Sequence, residues 1–227
     1  MQIKREIKSA LLDEVPGVIH GFGTAQEPIP ASLKKIWESR RPKHKQVHRC
    51  DFAQVEIEGQ ECGEVDGLFT SKAGMPVGIM TADCVPILMA NQKGTCVAAV
   101  HAGWRGTRAH ILAELWTELH KQGQSPRDWV AAIGPAIGPC CYEVSEELAQ
   151  SFFKEFKDFG SSGRLAVPSP RRLDLPSINA AELRRIGLSK VEILPYCTQC
   201  SVNPVFHSYR REGGGARQWS LMSRALS

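Results

Sequence analysis

The chain has 227 residues, 28 basic against 24 acidic for a net charge of +4, and eight cysteines, with 42% hydrophobic residues. That length holds a full hydrophobic core, and with no linker, low-complexity tract or fixed-period repeat it reads as one domain over residues 1–227. No apolar run approaches the roughly 20 residues that cross a bilayer. The first residues, MQIKREIKSALLDEVPG, are charged rather than signal-like, and the basic residues are scattered apart from Arg40-Arg41, Arg171-Arg172, Arg184-Arg185 and Arg210-Arg211. Those features argue against membrane, exported and nucleic-acid-binding classes, so a cytoplasmic protein with reduced thiols is expected.

In chain order, short strands are expected near Val18–Phe22, Lys45–His48, Gln54–Ile57, Gly67–Thr70 and Val77–Met80. Two nearly continuous apolar runs follow, Val85–Ala90 and Thr95–Val100, and the turn-prone Asn91-Gln92-Lys93-Gly94 joins them as an antiparallel hairpin. Ile111, Leu112, Leu115, Trp116 and Leu119 recur at helical spacing, which predicts a helix from Thr107 to Lys121. Further helices are expected over Ser145–Phe156, with Ser145 as cap and Glu146-Glu147 in the first turn, and from Asp174-Leu175-Pro176 to Arg185 before Gly187. Strands Trp129–Ile133, Val191–Leu194, Val205–Tyr209 and Gln218–Met222 complete the set. Strands dominate the first half and alternate with helices in the second, which points to a mixed-sheet αβ fold rather than a regular doubly wound one.

The hairpin carries the chemistry. Setting Ala90 opposite Thr95 places Cys84 opposite His101, and directly opposed side chains have Cβ atoms about 5 Å apart. A thiolate and an imidazole so placed bind one metal ion or form a nucleophile and base pair, and both uses require the same geometry. Asp83 precedes the thiol, and His101 runs into Gly103-Trp104-Arg105-Gly106, a compact turn that brings a cation beside the site. His48 is a candidate third ligand, because two histidines and one cysteine leave a fourth position open, as in catalytic zinc sites.

Cys50, Cys62 and Cys96 have no motif around them and read as small hydrophobes. Cys197-Thr198-Gln199-Cys200 has C-x-x-C spacing, but no second C-x-x-C or histidine pair at finger spacing accompanies it, so a structural or incidental role for Cys200 is expected. The loop Gly134–Glu143 lies between a strand and a helix and is placed to line a pocket, with Glu143 available to a substrate group. Phe206 to Arg217 reads as a hairpin with a flexible tip, whose three arginines and three glycines suit a phosphate.

Five segments in this order, QVH (Gln46–His48), TADC (Thr81–Cys84), VAAVHAGWRG (Val97–Gly106), IGPAIGPCCYEV (Ile133–Val144) and FHSYRREGG (Phe206–Gly214), resemble the YfiH-type family, also called peptidoglycan editing factor or laccase-domain proteins. The resemblance runs from about Val18 to the C-terminus. It implies an α+β fold, a mixed-sheet α/β/β/α layered sandwich related to the cysteine-histidine deamidase toxins. It also implies zinc held by His48, Cys84 and His101, with copper as the second choice. The activity implied is phosphorolysis of adenosine, inosine and methylthioadenosine together with hydrolytic deamination of adenosine. Cys84, His101, Asp83, Arg105 and Glu143 are then the catalytic candidates, and Gln46, Arg105, Tyr142, Arg210 and Arg211 the substrate-binding ones. The partners expected are a nucleoside and phosphate, with a homodimer as the candidate assembly and neither nucleic acid nor membrane. Where the family commonly reads Phe-Phe-Ser-Tyr-Arg-Arg-Asp, this chain has His207 and Glu212. Three competing functions remain: a Cys84–His101 amidase acting on cell-wall precursors, a copper polyphenol oxidase, and a zinc-stabilised binding protein with a closed four-ligand site.

Overall fold

The computed structural model describes residues 6–159, 166–188 and 190–226. Glu6–Ile7 (β1) pairs antiparallel with Val18–Gly23 (β2) across the short helix Ala10–Asp13 (α1), which is capped by the Ser9 hydroxyl accepting from the Leu12 N–H. Lys34–Arg40 (α2) leads into the strands Lys43–Lys45 (β3), Phe52–Gln54 (β4), Glu61–Glu64 (β5), Gly67–Thr70 (β6), Pro76–Thr81 (β7), Val85–Asn91 (β8) and Val97–Ala102 (β9). The remainder is Trp104–Arg108 (α3), Ile111–Lys121 (α4), Trp129–Ile133 (β10), Glu146–Glu155 (α5), Leu175–Ile186 (α6), Lys190–Ile193 (β11), Tyr209–Glu212 (α7) and Gln218–Arg224 (β12).

Two mixed or antiparallel sheets stack on each other. One has the order β1-β2-β12-β7 and the other β11-β10-β8-β9-β6-β4, with β3 and β5 forming a separate parallel pair. The central strands β8, β9 and β10 are buried along their whole length because both of their faces are covered. On β8, β9 and β10 the odd and even positions divide cleanly. Leu88, Ala90, Val97, Ala99, Val130 and Ala132 join Phe22, Val77, Ile79 and Met222 between the sheets. Ile87, Met89, Ala98, Val100, Ala131 and Ile133 face the helices, meeting Leu112, Leu115, Phe152, Ile178 and Leu183. On the far side of the four-stranded sheet, Leu33 and Trp37 of the α2 region pack on Leu221, and the Trp37 ring lies 4.8 Å from that of Trp219. The layers are therefore helix, sheet, sheet and helices, the mixed α+β architecture expected. Among the described residues no helix is long and apolar enough to cross a membrane.

The helix caps expected at Ser145, Asp174 and Gly187 all form: Ser145 accepts from the Leu148 N–H, Asp174 accepts from the Ser177 N–H, and Gly187 closes α6 at φ 123°. Five expectations need correction, the simplest being that the strand expected near Gln54–Ile57 lies at Phe52–Gln54 instead. The hairpin is shifted by two residues, with Ala90 opposite Val97 and Pro86 opposite His101, because Asn91 still pairs with Cys96 and the loop is Gln92–Thr95, held by the Asn91 side chain accepting from Lys93. The helix expected over Thr107–Lys121 breaks at Ala109–His110, where His110 takes φ 56° and its ring is held between Glu155 and Glu182. The expected strand Lys45–His48 stops at Lys45, and His48 adopts φ 61° in the loop beyond. Val205–Tyr209 forms no strand: the Ala25 N–H bonds Val205, the His207 N–H bonds the Gln218 side chain, and Ser208 caps α7. Neither α1, α2 nor β5 was legible in the hydrophobic pattern.

Candidate metal centre and its cavity

A two-residue shift in register leaves the faces of a strand unchanged, because side chains alternate with period 2. Cys84 and His101 therefore still emerge on the same side, the inter-sheet side, as diagonal rather than directly opposed neighbours. They project where the apolar core runs out at one end of the stacked sheets. His48 reaches them from the loop after β3, its Nε2 lying 4.0 Å from the Cys84 Sγ, and its ring lies edge-on to that of His101 with centroids 4.7 Å apart. One donor atom from each of the three lies within 4.8 Å of the others.

Asp66 holds this arrangement together, and no sequence motif pointed to it. It is fully buried just before β6, and its carboxylate accepts from the backbone N–H groups of Val47, His48 and Arg49 at 3.1, 2.9 and 2.7 Å. The same carboxylate lies 2.7 Å from the His101 Nδ1. One side chain thus fixes the loop carrying the first histidine and the orientation of the second, the role that carboxylates play behind metal-ligating histidines. The signal available was a charged residue at the mouth of the apolar run Gly67-Leu68-Phe69, where a buried carboxylate requires partners. Gln46 adds a second tie: its amide donates to the Met80 carbonyl at 2.9 Å and accepts from the Met80 N–H at 2.7 Å.

Burial alone would push the Cys84 thiol up, but the His101 imidazolium beside it and hydrogen bonds from His101 and His48 bring it down to about 6. Burial would likewise lower His101, and the Cys84 thiolate and Asp66 outweigh it, raising the imidazole to about 9. The protein thus prepares a thiolate. Glycine at 103 lets the backbone pass close to the trio: a Cβ there would come 3.1 Å from both the Cys84 Sγ and the His48 ring, a tight contact on two of the three donors. A borderline-soft dication fits this N, S, N set, which leaves a fourth position open.

The trio opens into a cavity of about 720 Å³, within the range of small-molecule sites. Its lining includes Gln46, His48, Asp83, Cys84, His101, Arg105, Tyr142 and Arg210 of the expected residues, together with Arg217. Arg105 lies 4.4 Å from the Trp104 ring and forms no ion pair among the described residues. Arg210 lies over the Tyr142 ring at 5.5 Å and donates to the Glu143 carbonyl. Asp83, at φ 87°, already accepts from the Thr198 hydroxyl at 2.6 Å and the Arg210 N–H at 2.7 Å, so its carboxylate braces the wall. Two expected residues lie outside the lining. The Glu143 carboxylate is turned to Arg171 and Arg172, at 2.9 and 3.6 Å. Arg211 donates to the carbonyls of Thr198, Gln199 and Phe206 and pairs with Glu212, so its guanidinium is spent on the fold. The two departures in this segment face each other, His207 lying 3.5 Å from Glu212.

Other lining residues were not anticipated: His44, Trp104, Tyr209 and Trp219. The Thr81 hydroxyl, on the same wall, is buried without a partner among the described residues. Aromatic rings on several sides, four cations (Lys45, Arg105, Arg210 and Arg217) and a single, already engaged carboxylate make the cavity suited to a flat ring joined to an anion.

The family model for multi-copper polyphenol oxidoreductase laccase matches residues 32–225. A protein named purine nucleoside phosphorylase YlmD, from Geobacillus stearothermophilus, is 34% identical over 188 residues, which take in 81% of this chain and 65% of that relative. Another, named adenosine deaminase RL5, from an unknown prokaryotic organism, is 33% identical over 184 residues, 74% of this chain and 69% of the relative. The crystal structure of YlmD from Geobacillus stearothermophilus superimposes with a TM-score of 0.81 at 27% identity, covering 100% of this chain and 98% of that one.

Proposed function

Since the chain belongs to the multi-copper polyphenol oxidoreductase laccase family, the YfiH-type proteins, we propose that it is a zinc-dependent purine nucleoside enzyme, phosphorolysing adenosine, inosine and methylthioadenosine and deaminating adenosine. The observation that carries this reading is the convergence of His48, Cys84 and His101 at a cavity walled by aromatic rings and cations. Zinc bound by this trio supplies a Lewis-acid centre, with copper as the second choice of ion.

The residues divide the work. Asp66 accepts a hydrogen bond from the His101 Nδ1–H, which points the Nε2 to where a metal would bind in place of the Nε2 proton. Trp104, Tyr142, Tyr209 and Trp219 offer faces and edges to a purine ring and exclude water from it. Arg105 and Arg217 supply the positive charge that orients phosphate toward the sugar and stabilises charge as the base departs. Arg210 closes the same wall through its bond to Glu143, whose carboxylate keeps the adjoining turn in place through Arg171 and Arg172. With Asp83 engaged and Glu143 turned outward, positioning and charge carry more of the reaction than a carboxylate base does.

Metal-analysed protein incubated with adenosine is expected to yield adenine and ribose phosphate only when phosphate is present, and inosine without it. Neither product under either condition overturns the proposal. Cys84→Ala is expected to lose the metal and to lower turnover by at least about 100-fold, since even partners behind a metal ligand cost 10–100-fold. Unchanged metal content with unchanged turnover eliminates the mechanism.

One observation supports a second reading, amide hydrolysis. Cys84, His101 and Asp66 stand in the order nucleophile, base and orienting carboxylate. His48 argues for the metal, because a second imidazole 4.0 Å from the thiol adds a donor that a nucleophile has no use for. An acyl group trapped on Cys84 favours the amidase, and activity lost to chelator and restored by zinc favours the nucleoside enzyme.

A further inference from the structure

Outside that cavity, four more thiols meet. Cys140 and Cys141 lie on the turn after β10, where the N–H groups of Cys141 and Tyr142 both bond the Gly138 carbonyl. Cys197 and Cys200 lie on the turn after β11, closed by the Ser201 N–H to the Cys197 carbonyl. The two turns are zipped together by the Thr198 N–H to the Ala136 carbonyl and by the Gly138 N–H to the Cys197 Sγ at 3.3 Å. All four sulfur atoms fall within 4.8 Å of one another, and Cys140 and Cys200 are 3.7 Å apart. Cys197-x-x-Cys200 therefore has its missing partner pair: adjacent cysteines in the other turn, a spacing that a search for a second C-x-x-C passes over.

We propose that Cys140, Cys141, Cys197 and Cys200 form a second metal site, a closed four-thiolate zinc centre that clamps one wall of the cavity. Tetrahedral zinc with Zn–S bonds near 2.3 Å places its sulfurs about 3.8 Å apart, and the Cys140–Cys200 separation matches that edge. Apolar packing does not account for the cluster, because Cys140 and Cys200 are exposed. All four stand as free thiols, with Cys140 and Cys200 at 3.7 Å rather than at the roughly 2.05 Å of a disulfide. On binding, each thiol releases its proton to solvent and contributes a thiolate pair to the ion, with no change in oxidation state.

The place of the clamp shows what it does. The Cys140-Cys141 turn runs directly into Tyr142, which lines the cavity, and Thr198, between the other two cysteines, holds the Asp83 carboxylate. Arg211 bonds the Thr198 and Gln199 carbonyls from the other side. Zinc here reinforces the bonds that already zip the two turns together, and so fixes the Tyr142 and Arg210 side of the pocket.

The test is a metal count independent of turnover. Chain expressed with zinc is expected to carry two equivalents. Cys84→Ser keeps one, and reconstituting that variant with cobalt(II) is expected to give the intense thiolate charge-transfer and tetrahedral ligand-field bands of a four-sulfur site, since its tetrad is untouched. Cys140→Ser/Cys200→Ser, with folding checked by circular dichroism, loses the other equivalent. A Cys84→Ser protein that binds no metal overturns the proposal, as does a native chain whose tetrad is oxidised to disulfides by mass. Retention of both equivalents in the tetrad variant also overturns it.

Discussion

Cys84 shares its site with two imidazoles at the end of the inter-sheet core, whereas Cys140, Cys141, Cys197 and Cys200 share theirs only with one another, on two surface turns. The difference lies in what is left over once an ion is bound. One thiolate and two neutral imidazoles leave a dication with net positive charge and a vacant position, so it can still polarise a substrate. Four thiolates overcompensate the charge and fill the coordination shell, so that ion serves the fold. The surroundings follow the same division. The trio has a buried carboxylate behind it and a cavity in front; the tetrad has backbone N–H support and lies at the surface, with Cys140 and Cys200 exposed.

The sharpest way to break the comparison is through Asp66. Asp66→Asn is expected to weaken zinc binding at the trio by roughly 10–100-fold in a chelator competition, through the loss of the acceptor for His101 and of the loop's N–H bonds, and to leave the tetrad's equivalent in place. Equal loss at both sites would mean that Asp66 acts through general stability instead. Next in size is the reactivity of the thiol in metal-stripped protein. Because Cys84 sits at about 6, its thiolate is populated above that pH and its alkylation rate falls as pH falls through about 6; His101→Ala moves the midpoint up toward the ordinary thiol range. Cys50 and Cys96, both pushed up to about 11 by burial, stay largely protonated at neutral pH. Residue-resolved mass spectrometry at pH 7 is expected to favour Cys84 over them by roughly 30- to 90-fold, the lower intrinsic nucleophilicity of its thiolate offsetting part of its larger population. The smallest effect separates two arginines that looked alike in sequence. Arg105→Ala is expected to raise the KM for phosphate by about tenfold, the worth of one charge-assisted hydrogen bond, with Tm unchanged. Arg211→Ala is expected to leave that KM in place and lower the Tm by about 5 °C; the reverse pattern would exchange their roles.

How much of this was legible in the chain depends on how far apart the interacting residues lie. The caps at Ser145, Asp174 and Gly187 were readable because each is decided within one helical turn. The shared face of Cys84 and His101 was readable because strand alternation preserves it through a two-residue slip. His110 was not: its left-handed conformation belongs with contacts to Glu155 and Glu182, 45 and 72 residues away. Arg211 and Glu143 had the right chemistry for a substrate, and the folded chain gives both to internal partners.

Local sequence therefore determined the reactive groups themselves, the strands that carry Cys84 and His101, and the side on which they emerge, because periodicity and turn chemistry act over a few residues. Only the tertiary structure decided which groups remain free. It brought Asp66 behind His101 and folded two turns, 60 residues apart at Cys140 and Cys200, into one sulfur cluster. Convergence of that kind follows from the packing of whole sheets and loops, and spacing along the chain carries no record of it.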